Sequence, residues 1–128
     1  MPMTNVQTSA RRRSSERKYD LCERTAQFGE SVIAFAKQVP LNPITTPLVT
    51  QLVRAATSIG ANYCEADEAE SGKEFKYRIG VSKRESRETQ HFVRMVVAAE
   101  PKLRDEARAL WQEAKELTLI FAAILRRK

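Results

Sequence analysis

Residues 48–74 read LVTQLVRAATSIGANYCEADEAESGKE, and how many helices they hold decides the architecture. Leu48, Leu52, Ala55, Ile59, Asn62 and Ala66 alternate spacings of four and three, which lays them along one face of a helix. Ser71 and Glu74 then form an S-x-x-E capping box, in which the serine hydroxyl accepts from the amide three residues on. The stretch therefore predicts one helix ending and a second one starting, not a single long rod. Thr57, Ser58, Gly60 and Asn62 sit inside the first of these helices, where they would serve either a site or close packing.

The same periodicity extends in both directions. Upstream, Leu21, Thr25, Phe28, Val32, Phe35 and Val39 form a stripe that ends at Pro40 and the loop PLNPITTP. Thr46 is expected to cap the next helix with Pro47 as its first residue, where the missing N–H costs nothing. Downstream of Ser71 the stripe is Phe75, Ile79, Ser82, Ser86, Thr89, Val93 and Val96. Pro101 opens a fourth helix carrying Leu103, Ala107, Leu110, Ala114, Leu117, Phe121 and Ile124. No strand-like alternation interrupts this pattern. The expected fold is all-α, an antiparallel up-down-up-down four-helix bundle over residues 19–128.

Such a bundle would place Asn62, nine residues before Ser71, level with Ser82, eleven residues after it. With Ser86 they would make a buried polar layer that fixes register, because slippage would leave an amide unpaired. That favours packing over a site. Gly60 points away from the stripe, which suggests close approach by something outside the bundle core.

At 128 residues, 42% hydrophobic and 30% charged, the composition is that of one soluble domain. No apolar run approaches the ~20 residues that span a bilayer, so no membrane partner is expected. The N-terminus MPMTNVQTSARRRSSERK has basic residues but no apolar stretch after them, so it is not a secretory signal, and a cytoplasmic location follows. Cys22 and Cys64 offer no metal spacing and no disulfide framework, as suits a reducing compartment. They come level on adjacent helices, but Cys64 points away from the core stripe and no bridge is expected.

The net charge of +6 is concentrated at the ends. Residues 1–18 carry five positive charges against Glu16 and are expected to be a flexible basic tail, either solvated or in contact with a polyanion. The chain closes on Arg126, Arg127 and Lys128. An up-down bundle brings both ends together. On helix three, Lys76, Lys83, Arg87 and Arg94 form a basic ridge beside the core stripe, read either as a solvated flank or as a row of phosphate contacts. Tyr77, Val81, Phe92 and Met95 form a second apolar band on its other side, which predicts a subunit interface and a homo-oligomer.

Nothing in the sequence points to catalysis. His91 is the single histidine, no Gly-rich loop follows a strand, and no serine or cysteine has a base placed near it. Glu65, Glu68, Glu85 and Glu88 lack the E-x-x-H pairs of a di-metal bundle. The expectation is a protein that is not an enzyme and has no metal and no cofactor.

Three stretches carry a family resemblance: YDLCERTAQFGESVIAFAKQVP, QLVRAATSIGANYCEADEAESGKEFKYRIGVSKRESRET and the final LTLIFAAILRRK. Together they resemble the four-helix bundle proteins encoded in intervening sequences of bacterial 23S ribosomal RNA genes, over about residues 19–128. Ser58, Asn62, Glu65, Lys83, Glu85 and Glu88 fall at recurrent polar positions of that family, whereas QHFVRMV after Thr89 departs from its usual ending. The resemblance implies a ring-shaped homopentamer with a central channel and no catalytic residues. A relative, the accessory variability protein of diversity-generating retroelements, is a basic pentamer that partners a reverse transcriptase and nucleic acid.

The function expected from charge and resemblance together is a non-enzymatic ring that binds structured RNA or DNA. The binding residues would be Lys76, Lys83, Arg87, Arg94, Arg126, Arg127 and Lys128. The alternative is an oligomeric adaptor that docks on a protein partner such as a polymerase.

Overall fold

The caps set the element boundaries. The computed structural model describes residues 20–127, so the tail of residues 1–18, Tyr19 and Lys128 lie outside the described residues. Helix α1 spans Leu21–Ala36, α2 Thr45–Asp67, α3 Gly72–Ala99 and α4 Arg104–Arg127, and among the described residues there is no strand. At about 1.5 Å per residue, α3 is a rod of roughly 40 Å and the longest element. Ser71 is its N-cap, accepting from the Glu74 N–H at 3.1 Å as the capping box requires.

Two starts differ from expectation. Helix α2 begins at Thr45, and Thr46 is not its cap. The Asn42 side chain does that work, its Oδ1 accepting from Ile44 N (2.8 Å) and Thr45 N (2.9 Å). Thr45 Oγ1 accepts from Asn42 N at 3.0 Å and donates to the Pro40 carbonyl at 2.6 Å, locking the turn. An Asn-Pro pair is a strong turn former because the Asn side chain mimics a backbone turn, and it outcompetes a threonine cap four residues later. Pro101 opens a 3₁₀ turn over Pro101–Leu103 instead of the α-helix itself, a common tightening at a helix start.

The four helices form an up-down bundle. Helix α2 packs along α3, α3 along α4 and α1 on α2, with lighter contact between α1 and α4. The core runs through Phe28, Val32 and Phe35 of α1, Leu52 and Ile59 of α2, Ile79, Val93 and Val96 of α3, and Leu117 and Phe121 of α4. Burying each such side chain is worth about 1.5–3 kcal/mol. Arg24 ties α1 to α4 through a forked pair with Glu113 (2.7 and 2.8 Å) and a contact to Glu116 at 3.1 Å.

The register between α2 and α3 is one turn away from the sequence estimate. Ser82 Oγ, fully buried, donates to the Ile59 carbonyl at 3.0 Å, and Arg78 Nη1 donates to Asn62 Oδ1 at 3.0 Å. Asn62 therefore does not meet Ser82. Helix α2 stops at Asp67, so the turn is centred between Asp67 and Gly72 and not on Ser71, and the partner of Asn62 moves back by one turn on the same face of α3.

Candidate functional site

Lys76, Arg87 and Arg94 are exposed and Lys83 is half-buried, all on α3. Arg126 and Arg127 are exposed on the last turn of α4. Because α3 starts where α4 ends, Lys76 and the two terminal arginines share one end of the bundle. Farther along α3 lies an open groove of about 590 Å³ lined by Gly80, Lys83, Arg84, Arg87, Glu88, His91 and Leu125. Leu125 forms an apolar wall from α4, and Gly80 leaves space, since a Cβ there would meet nothing within 4 Å. Arg94 lies farther along α3, beyond this groove.

Arg84 and His91 line the groove without standing on the basic ridge that the spacing marks. Arg84 joins Lys83 and Arg87 in the groove, although it stands outside the angular band that defines the ridge. His91 lies at the far end, its ring edge-on to Phe92 at 5.1 Å. The signal that could have found Arg84 is the run KRESR, whose basic residues at 83, 84 and 87 span adjacent helical rows.

Two carboxylates of α3, Glu85 and Glu88, are already paired across to α2. Arg54 of α2 reaches Glu88 Oε1 at 2.6 Å and Glu85 Oε2 at 3.3 Å, and these hydrogen bonds hold the guanidinium pKa above its ordinary value. Among the described residues, ion pairs are made only by Arg24 and Arg54. Lys83, Arg84 and Arg87 thus line the groove as unpaired cations. That arrangement can take a phosphate or another anion, because exposed positive charge spaced along a rod matches a polyanion.

The second apolar band is mostly covered by the chain itself. Val81 is buried at 8% exposure and Phe92 packs partly against the core, while Met95 is half-buried. Tyr77 alone of the four stands out, at 62%. The reason is that α3 is the central element, flanked by both α2 and α4, so it buries two faces within one chain. The polar set of Asn62, Ser82 and Ser86 divides likewise. Ser82 crosses to α2, Ser86 Oγ returns to the Ser82 carbonyl at 2.9 Å, and Asn62 is half-buried at the seam beside Arg78.

The remaining polar residues of the opening stretch serve the helix. Thr57 Oγ1 donates to the Val53 carbonyl and Ser58 Oγ to the Arg54 carbonyl, both at 2.8 Å. Gly60 is where α1 comes close: a Cβ on it would lie 2.9 Å from Thr25 Oγ1 and 3.3 Å from Thr25 Cβ. The approaching element is a helix of the same bundle, not an outside partner. Among the described residues, no helix is long and apolar enough to cross a membrane.

Residues 17–123 match the family described as 23S rRNA-intervening sequence protein. The chain belongs to this family. A solved structure from Bacteroides thetaiotaomicron, a protein of unknown function from the S23 ribosomal protein family, superimposes with a TM-score of 0.73 at 19% identity. The alignment covers 84% of this chain and 96% of that one, and at this identity it speaks for the fold alone. No curated protein matches the chain. Within the 23S rRNA-intervening sequence family match fall the whole groove except Leu125, and every ridge residue on α3.

Proposed function

We propose that this member of the 23S rRNA-intervening sequence protein family is a non-enzymatic, ring-forming bundle that binds structured RNA or another nucleic acid. The observation that carries the proposal is the groove in which Lys83, Arg84 and Arg87 stand without carboxylate partners while Arg54 occupies Glu85 and Glu88. Lys76, Arg126 and Arg127 extend the positive surface toward the end of the bundle. The ring, with five subunits, follows from the family resemblance, and Tyr77 is the residue of the apolar band left free to serve it. Repetition of the groove around an axis would turn a weak electrostatic contact into a strong one through multivalency.

The test is fluorescence anisotropy with labelled 23S ribosomal RNA fragments, unrelated RNA and duplex DNA across a salt series. The double variant Lys83→Glu/Arg87→Glu should weaken binding at least tenfold, with helicity and mass in solution unchanged. Unchanged affinity would remove the groove from the interface. Recovery of a protein partner after nuclease treatment, with the same variant losing it, would favour the adaptor instead.

A further inference from the structure

Cys22 opens α1 and Cys64 lies in the last turns of α2, and their sulfurs are 3.8 Å apart with no bond between them. The proximity follows from the close approach of the two helices. Thr25 and Gly60 meet one turn away from the cysteines, where a Cβ on Gly60 would come 2.9 Å from Thr25 Oγ1, so the two helices run close together there. A disulfide needs about 2.05 Å between sulfurs, a closure that side-chain rotation at the exposed Cys64 can largely supply. Beside the pair, a cleft of about 330 Å³ opens along Thr25, Ala26, Gly29, Thr57, Gly60 and Ala61. Glu30 and Ile33 complete the lining, the rest of which is small, and Cys64 is exposed, so a reagent can reach the sulfurs along the seam.

We propose that Cys22 and Cys64 form a reversible dithiol–disulfide pair, an oxidative modification site that reacts with small organic disulfides and ties the start of α1 to the end of α2. The exposed Cys64 reacts first: its thiolate attacks one sulfur of the reagent, that S–S bond breaks, and one reagent thiol leaves. Cys22 then displaces the second reagent thiol from the mixed disulfide, forming the Cys22–Cys64 bond. Two cysteine thiols are oxidised, one reagent disulfide is reduced to two thiols, and the two protons go to the leaving groups. The order agrees with the environment of Cys22, whose thiol is pushed up to about 12 by burial and by its contact with Cys64. A thiol so disfavoured as thiolate is a poor first nucleophile, but it is held against the mixed disulfide once that forms.

The experiment treats the full chain with 2-hydroxyethyl disulfide and reads free thiols and intact mass. The expected product has lost both thiols and two hydrogen atoms, remains a single chain on a non-reducing gel and melts at higher temperature. Dithiothreitol should return it to the starting mass. Cys22→Ser should instead stop at a stable adduct on Cys64, and Cys64→Ser should react many-fold more slowly. A wild-type protein carrying two adducts, a disulfide-linked dimer through Cys64, or two unreacted thiols would each overturn the proposal.

Discussion

Gly60 shows how a single missing methyl group positions a helix. Thr25 is 1% exposed and its hydroxyl is held by the Leu21 carbonyl at 2.6 Å, so it cannot turn away from an added Cβ. Overpacking of that kind costs about 1–3 kcal/mol, more than the ~1 kcal/mol an alanine gains over glycine in a helix. Gly60→Ala should therefore destabilise by up to about 2 kcal/mol in chemical denaturation, and less in a Thr25→Ala background. Gly80→Ala, with nothing within 4 Å, should stabilise by up to about 1 kcal/mol. If both variants gain stability, the α1–α2 contact is looser than these distances imply. Nearby, Tyr63 packs on Phe121 at 6.1 Å and its hydroxyl is pushed up to about 12, chiefly by burial and then by the charge of Asp67. The folded state holds the neutral phenol beyond the unfolded value near 10, so this stabilisation is complete below about pH 10 and disappears as pH rises toward 12. Denaturation midpoints measured from pH 9 to 12 should fall less steeply for Tyr63→Phe than for the wild type.

Between elements, the α2–α3 seam is fixed by Ser82 on the Ile59 carbonyl and by Arg54 bridging Glu85 and Glu88. Glu85 is 8% exposed, and its Oε1 is buried without a hydrogen-bond partner, so Arg54 is what compensates this carboxylate. Arg54→Ala should cost about 1–3 kcal/mol by leaving Glu85 inadequately paired, and adding Glu85→Gln should recover part of that loss. Equal stability of the single and double variants would mean that water already serves Glu85. The helices themselves were legible because the apolar spacing is regular: the predicted stripes on α1 and α4 are buried except for the half-buried Ile124. What sequence could not supply was register and rotation. The turn between α2 and α3 admits two alignments one helical turn apart on the same face, and only packing chooses the one that pairs Ser82 with Ile59. Val81 was assigned to an outer band because sequence gives its angle on α3 but not that α3 has neighbours on both sides. The groove is half legible: spacing gives Lys83 and Arg87, whereas Arg84 and the Leu125 wall come only from the folded arrangement.

Over the whole molecule, the positive charge divides into two sources that the salt dependence of binding can separate. Residues 1–18 hold five basic side chains and one acidic one, so they account for +4 of the net +6 and leave only +2 for the bundle. Charge of the first kind attracts any polyanion, since phosphate contacts fix no sequence or shape, whereas the groove presents Lys83, Arg84 and Arg87 on a rigid helix against the Leu125 wall. For duplex DNA the slope of log affinity against log salt falls by about 0.9 per phosphate neutralised. A protein lacking residues 1–18 should therefore lose about 2–4 from the steepness of that slope and most of its affinity for unrelated duplex. If the groove recognises RNA as proposed, the ranking of structured RNAs should stay as it was. Lys83→Glu/Arg87→Glu should do the converse, compressing the differences among RNAs while the tail still supplies a steep slope. If removing the tail erases the ranking, recognition lies in the first eighteen residues and not in the groove.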